Sequence, residues 1–447
     1  MPFIAGITSF NRLDIDTKER FHKAVITFCR NSPWPLDSIE DNSHILVHSG
    51  SPDMWDGPRI INEEEYLATA LGTQWKRTQS AKPALEYLSG CFLKDVEVEN
   101  SFDYFSIAVI DKKNRRTILA TDPVGIGSLL YCYENGALVF SSHQYFLRLY
   151  LGSRARICPD AVFEYLLLRC ILGEKTLLEN VKTLEPGSRL HFSSKGLDVA
   201  KYTRIDGIKI NTQTSLKEAC EQIWNHLDSK FRGYISLTKK DFATPLSGGW
   251  DSRLIAGFLA RYGRLRETFT SEQGTILYGK QVIEGRMAEQ VAHFLGVKNT
   301  YIELTSTSSP SKMWRRAYRM QRLVDFNTTF HNWALDLVDN LPQDTYILTD
   351  GIMGSMLLQT SRSLADPVVQ QCVEKGDKVG YARLLIRSLT QGTGSLQASS
   401  KIQYPDLTSW NQVLENHYVS HQSSISFITL EILLLRLQVT TLRPCIP

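Results

Sequence analysis

Apolar residues in the first part of the chain come in short runs broken by polar turns, a pattern of strands rather than of long helices. The run His44-Ile45-Leu46-Val47-His48, within 43–49, and the run Phe105-Ser106-Ile107-Ala108-Val109-Ile110, within 104–111, are both strand-like. The polar turn from Asp111 to Arg115 leads into a further strand over 117–121. Leu129 to Tyr133 and Ala137 to Phe140 flank Glu134-Asn135-Gly136, which predicts a hairpin with Asn-Gly as its turn. Pro186-Gly187 reverses the chain before Arg189 to Phe192. These positions predict antiparallel, hairpin-rich chain with a few helices.

After Tyr202 the period changes. Ser215-Leu216-Lys217-Glu218 is a capping box, in which hydroxyl and carboxylate satisfy free amides at a helix start. Ala219, Ile223, Trp224 and Leu227 continue it as a helical stripe. Strands are then predicted over 242–246, 267–270, 300–304 and 346–349, alternating with helices over 252–262 and 284–295. Such alternation implies a parallel sheet covered on both faces. The last hundred or so residues are expected to be mostly helical. Their most apolar stretch, Ile425 to Leu442, is interrupted by Glu431 and Arg436, so it is expected to be a buried amphipathic helix and not a membrane span.

At 447 residues the chain exceeds one ordinary core, and about two or three domains are expected. Hydrophobic content of 43% and charged content of 22% fit a globular protein. A net charge of +3 without basic clusters gives no reason to expect a nucleic-acid partner. No secretory signal is readable in the first residues, so the eight scattered cysteines are expected to be reduced thiols in the cytoplasm. None forms a Cys-x-x-Cys pair, which argues against a zinc or redox motif.

The chemistry-bearing segment is Ser247-Gly248-Gly249-Trp250-Asp251-Ser252, between a predicted strand and a predicted helix. A glycine-rich turn feeding a helix start aims backbone amides at one point, where the helix dipole also favours negative charge. Ser247 and Ser252 add hydroxyl donors, and Asp251 is placed to hold Mg²⁺ against phosphate. No Gly-x-x-x-x-Gly-Lys-Ser/Thr occurs, so this is not the usual γ-phosphate-cleaving loop. The alternative is a plain helix-capping turn, since Gly, Ser and Asp are common there.

Pro245-Leu246-Ser247-Gly248-Gly249-Trp250-Asp251-Ser252, followed by Leu254-Ile255-Ala256, resembles the ATP-pyrophosphatase motif of the asparagine synthetase family. Thr121-Asp122-Pro123-Val124-Gly125-Ile126, Phe140-Ser141-Ser142 and Leu184-Glu185-Pro186-Gly187 resemble segments of that family's glutaminase domain. The resemblance implies a mixed α/β and α+β chain. Residues 1–205 would be an Ntn-hydrolase-like αββα sandwich of the class II glutamine amidotransferase type. Residues 206–447 would be a parallel-sheet, Rossmann-like (HUP) ATP-pyrophosphatase domain with a helical C-terminal part. The implied activity adenylates a carboxylate with ATP and Mg²⁺ and lets an amine displace AMP. Its expected substrates are a small-molecule or peptide carboxylate and an amine. ATP or pyrophosphate would meet Leu246, Ser247, Gly248, Gly249, Asp251, Ser252, Arg253 and Gly351, with Asp251 on the metal.

The resemblance breaks at several points. The family starts Met-Cys-Gly-Ile-Ala-Gly-Ile, and its Cys attacks glutamine. Here Pro2 stands at that position, in register with Ile4-Ala5-Gly6-Ile7, and proline carries no nucleophile. The family's Asn-Gly-Glu glutamine-binding segment is also not visible; the comparable stretch reads His48-Ser49-Gly50-Ser51. Glutamine hydrolysis is therefore expected to be absent, with the amine supplied by the substrate as in β-lactam synthetases and lasso-peptide cyclases.

The family's Gly-Glu-Gly-Ala-Asp-Glu is resembled by Thr349-Asp350-Gly351-Ile352-Met353-Gly354. Asp350 keeps an acid able to take a proton from the attacking amine, while Met353 replaces a metal-binding Asp. Arg253 is a candidate for pyrophosphate and Trp250 is expected to pack. Glu284 resembles an acid near the family's ATP site. Family members continue past the segment resembled by Leu442 to Pro447 with helices and a Lys, so a shortened C-terminal domain is expected.

Overall fold

The structure is a computed structural model that describes residues 3–30, 32, 35–50, 57–74, 82–100, 102–162, 171, 173–203, 213–271, 276–277, 280–281, 284–302 and 346–348.

In the N-terminal unit β1 (Phe3–Ser9) is followed by α1 (Ile15–Cys29), β2 (Leu36–Glu40), β3 (His44–Ser49), β4 (Ile60–Asn62) and β5 (Tyr66–Gln74). Then come α2 (Ala84–Lys94), β6 (Phe102–Asp111), β7 (Arg116–Thr121), β8 (Leu130–Glu134), β9 (Ala137–Ser141) and α3 (Gln144–Leu151). Three more strands close the unit: β10 (Lys182–Thr183), β11 (Ser188–Ser193) and β12 (Gly196–Lys201). They form two six-stranded sheets, ordered β10-β8-β9-β1-β3-β2 and β12-β11-β7-β6-β5-β4.

Both sheets are antiparallel, and β1 explains their layering. Its side chains alternate, but each face is buried. Phe3, Ala5 and Ile7 pack with Phe21, Val25 and Phe28 of α1 and Phe146 and Tyr150 of α3. Ile4, on the opposite face, packs with Leu46, Phe140, Leu119 and Leu190, which come from both sheets. The outer face of the second sheet, with Ile107, Val109 and Ile118, is covered by Leu85, Leu88 and Phe92 of α2. Helices, sheet, sheet and helix stack as an αββα sandwich. The hairpin turn of β8 and β9 is as predicted, with Asn135 and Gly136 both at positive φ, 51° and 78°.

Elements of the C-terminal unit are α4 (Leu216–Leu237), β13 (Asp241–Pro245), α5 (Trp250–Arg261), β14 (Leu265–Ser271), β15 (Ile276–Leu277) and β16 (Lys280–Gln281). They are followed by α6 (Glu284–Phe294), β17 (Lys298–Ile302) and β18 (Tyr346–Leu348). Four strands form a parallel sheet in the order β17-β14-β13-β18. The capping box at Ser215 and Glu218 is formed in full. Ser215→Ala is expected to lower the stability of this unit by about 1 kcal/mol, read as a shift in its urea midpoint.

Two expectations are corrected here. The stripe on α4 packs on the core through the buried Phe231 and the partly buried Leu227, Tyr234 and Ile235, whereas Ile223 stays exposed. The last strand of the 284–302 stretch starts at Lys298 rather than Thr300. Its polar Asn299 belongs to the sheet because its side-chain amide bonds the hydroxyls of Thr268 and Thr270 on β14. The helical expectations for the last hundred residues, including Ile425 to Leu442, lie outside the described residues.

Candidate functional site

The order of the parallel sheet selects one place. From β13 the chain passes through α5 to β14 and on to β17 on one side, while β18 lies on the other side of β13. The direction of strand addition reverses between β13 and β18. Crevices at the carboxyl ends of strands beside such a switch are where open α/β sheets bind ligands. The turn Leu246 to Gly249 leaves the carboxyl end of β13 at that point.

Leu246 anchors the turn: it is buried, its N–H donates to Phe269 O at 2.7 Å, and its carbonyl accepts from Thr270 Oγ1 at 2.9 Å. Ser247 N–H donates to Ser252 Oγ at 3.1 Å, and the two hydroxyls are hydrogen-bonded at 3.1 Å. Gly249 N–H donates to Ser247 Oγ at 3.1 Å. Both serines thus shape the turn, a role that the expectation of free hydroxyl donors did not include. Gly249 is the N-cap of α5 and has no side chain to cap the helix. The first-turn amides and the positive end of the helix dipole therefore meet no side-chain acceptor from that position.

Asp251 sits in that first turn, half-buried. Arg253 Nε donates to Gly249 O at 3.1 Å, and its guanidinium carbon lies 4.4 Å from the centre of the Trp250 ring. Trp250 was expected to pack, yet it is 73% exposed. At the first position of α5 it points away from the core, and its ring supports the Arg253 cation instead. A spacing of three on one helix, readable in the sequence, is what brings the pair together.

Five of the eight expected nucleotide contacts, Leu246, Ser247, Gly248, Gly249 and Ser252, form one turn with Asp251 and Arg253 beside it. Gly351, Asp350 and Met353 lie outside the described residues, as do Pro2 and the side chain of Glu284. In sequence Asp350 comes two positions after the end of β18, the neighbour of β13. Among the described residues no group of three or more His, Cys, Asp or Glu is arranged to hold a metal. A single carboxylate completed by phosphate oxygens is an ordinary Mg²⁺ setting.

In the N-terminal unit, β1 lies between β9 and β3, pairing Phe3 with Ser49 and Ile4 with His48. Neither β1 nor these neighbours carries a cysteine. The Asp122 carboxylate, fully buried, accepts from the amides of Val124 (2.9 Å), Gly125 (2.7 Å), Ile126 (3.3 Å) and Gly127 (2.7 Å). Burial pushes its pKa up to about 6, against the pull of those amides. Gly127 is required beside it, since a Cβ there would stand 2.3 Å from Phe105 O. This carboxylate cage was not foreseen; the sequence offered only the Asp-Pro-x-Gly string.

His48 is buried, and its pKa is lowered to about 3, first by desolvation and then by the Arg59 charge. From about pH 6.5 down to 3 the unfolded chain binds a proton that the folded chain does not, so this group's contribution makes stability fall as pH falls. Urea midpoints from pH 7 to 5 should therefore drop less steeply in His48→Gln than in the wild type. The difference in slope is bounded by about 1.4 kcal/mol per pH unit, and parallel slopes would contradict the account.

Residues 96–203 match the sequence profile of the glutamine amidotransferase domain family. The comparison with curated proteins gives no match. Among solved structures, the chain is similar to a glutamine phosphoribosylpyrophosphate amidotransferase from B. subtilis complexed with ADP and GMP, at 10% identity and a TM-score of 0.29 over 70% of each chain. It is also similar to an allosteric regulatory enzyme of purine biosynthesis, at 9% identity and a TM-score of 0.27, over 70% of this chain and 69% of that one. Similarities of this size carry no argument about function. The profile match, in turn, assigns a glutamine amidotransferase-type domain to the N-terminal part. Among the described residues, no helix is long and apolar enough to cross a membrane.

Proposed function

We propose that the chain is an asparagine-synthetase-like enzyme that forms amide bonds at the expense of ATP, through an acyl-adenylate and without hydrolysing glutamine. The observation that carries this reading is the glycine turn at the carboxyl end of β13, beside the switch in strand order, feeding a helix start that Gly249 leaves uncapped. In this reading residues 206–447 form a Rossmann-like ATP-pyrophosphatase domain, and residues 1–205 an amidotransferase-type domain that acts as a structural partner.

The substrate carboxylate attacks the α-phosphorus of ATP, and the bond to the pyrophosphate oxygen breaks. The backbone of Leu246, Ser247, Gly248 and Gly249, the first-turn amide of Ser252 and the guanidinium of Arg253 bind the departing pyrophosphate; the resemblance adds Gly351 to this set. Asp251 would hold Mg²⁺, which would supply positive charge to offset that of the phosphates. The amine then attacks the acyl carbon, AMP leaves, and Asp350 accepts the amine's proton. Catalysis on this account is positional and electrostatic. With Pro2 in place of a thiol nucleophile, the amine belongs to the substrate itself, a small molecule or a peptide.

A second reading, nucleotide binding without turnover, is favoured by Met353, a poor ligand for a hard cation where the resemblance has Asp. Exchange of labelled pyrophosphate into ATP across a panel of carboxylic acids separates the two. Exchange with any acid supports adenylation; ATP binding with no exchange for any of them supports the second reading.

A further inference from the structure

Trp250 does little for the core that its size would suit. Its ring is 73% exposed, and among the described residues no aromatic ring packs on it. Trp224 on α4 is the contrast. Arg261 lies 5.5 Å from the centre of that ring, but the ring also packs on Phe258 at 4.6 Å and so belongs to the contact between helices. Trp250 keeps only the cation, and holds it closer, with the Arg253 guanidinium carbon 4.4 Å from the ring centre.

Two contacts fix that guanidinium. The indole sets where it stands, and Nε donates to Gly249 O at 3.1 Å, which turns the side chain back to the start of α5. Among the described residues no carboxylate pairs with it, and no acceptor meets its two terminal nitrogens. Those nitrogens are the two-pronged end of a planar fork that matches two oxygens of one phosphate. A loose arginine loses rotamer freedom when it takes an anion; one already held has less to lose. The held cation stands in the same turn as the amides that Gly249 leaves without a side-chain cap, so both kinds of donor serve one anion.

We propose that Trp250 is the positioning residue of the pyrophosphate subsite: its ring holds the Arg253 guanidinium at the start of α5 with both terminal nitrogens open to the departing pyrophosphate. The inference rests on the reading of the glycine turn as the place where pyrophosphate leaves. Trp250 touches no phosphate and moves no proton; it acts through Arg253. Ring and cation therefore work as one unit toward pyrophosphate and contribute nothing toward AMP, which lacks the phosphates that depart.

The test is calorimetric titration of the full chain with inorganic pyrophosphate and, separately, with AMP, both with Mg²⁺ present. Arg253→Met removes the cation. Trp250→Leu removes the π face but keeps apolar bulk at an exposed position, and Trp250→Phe restores a ring. Pyrophosphate affinity is expected to fall about tenfold in Arg253→Met and about fivefold in Trp250→Leu. The double variant should bind no more weakly than Arg253→Met alone, because the two side chains act together. Trp250→Phe should stay within about twofold of wild type, and AMP affinity should not change in any variant. Wild-type pyrophosphate affinity in Trp250→Leu overturns the proposal, as do losses that multiply in the double variant or that fall equally on AMP. So does absence of pyrophosphate binding by the wild type at about 10 mM, near the weak end of measurable affinities. The two readings fail separately. This pattern of binding with no exchange for any acid removes adenylation and leaves Trp250 in its role. Exchange by a chain whose Trp250→Leu variant binds pyrophosphate as the wild type does, in turn, removes only the role of Trp250.

Discussion

Asp251→Ala is expected to reduce pyrophosphate exchange by about 10²–10³-fold and to abolish the Mg²⁺ dependence of nucleotide binding, while the protein stays folded. The side chain stands half-buried in the first turn of α5, immediately after the turn whose amides would face phosphate. An acid at a helix start is also stabilising on its own, by interaction with the dipole, so a purely structural role has its own signature. That role predicts a loss of about 0.3–1 kcal/mol of stability with unchanged nucleotide affinity. Catalytic placement predicts the reverse. Measuring the urea midpoint and the nucleotide affinity on the same variant, with and without Mg²⁺, decides between them.

Asp122→Ala is expected to remove about 4 kcal/mol or more from the stability of the N-terminal unit. Four amides, from Val124 to Gly127, donate to one buried carboxylate, and alanine leaves all of them without that acceptor. The same loop ties the sheet together, since Gly187 N–H donates to Asp122 O and the Tyr202 hydroxyl donates to Thr121 O at 2.6 Å. Asp122→Asn should lose less. Its single oxygen can still take the three donors on Oδ1, and only the Gly127 amide then faces an NH₂ group. Denaturant midpoints in the order wild type, Asn, Ala are the expected outcome. Equal midpoints for Asn and Ala would show that the fourth amide, and not the set of three, holds the loop.

The parts of this molecule that the sequence reveals are those with a local cause. Asn135-Gly136 demands its hairpin, Ser215 and Glu218 demand a helix start, and the glycine turn after Leu246 announces itself between a strand and a helix. What stays hidden depends on partners distant in the chain. Strand β1 has no readable alternation because both its faces are buried, one against helices and the other against a second sheet. Helix α1 is masked by Ile15 and Ile26, large apolar residues that stand exposed and spoil the helical stripe. Asn299 looks like a loop residue until the hydroxyls of Thr268 and Thr270 are seen beside it.

The sites divide in the same way. Asp251 and Arg253 are legible because one short turn holds them. The Asp122 cage is hidden because the groups that close it, the Phe105 carbonyl behind Gly127 and the Tyr202 hydroxyl on Thr121 O, are distant in the chain. The Trp250 side chain shows how a local reading fails: an aromatic residue in an apolar context suggests packing, but its position at the start of α5 turns it outward under Arg253.

A structure determined with Mg²⁺ and a non-hydrolysable ATP analogue bears on the central claim most directly. The account predicts phosphate oxygens against the amides of Gly248 and the first turn of α5, with the metal touching Asp251. A nucleotide seated away from the end of β13, with the turn from Leu246 to Gly249 making no phosphate contact, would contradict it.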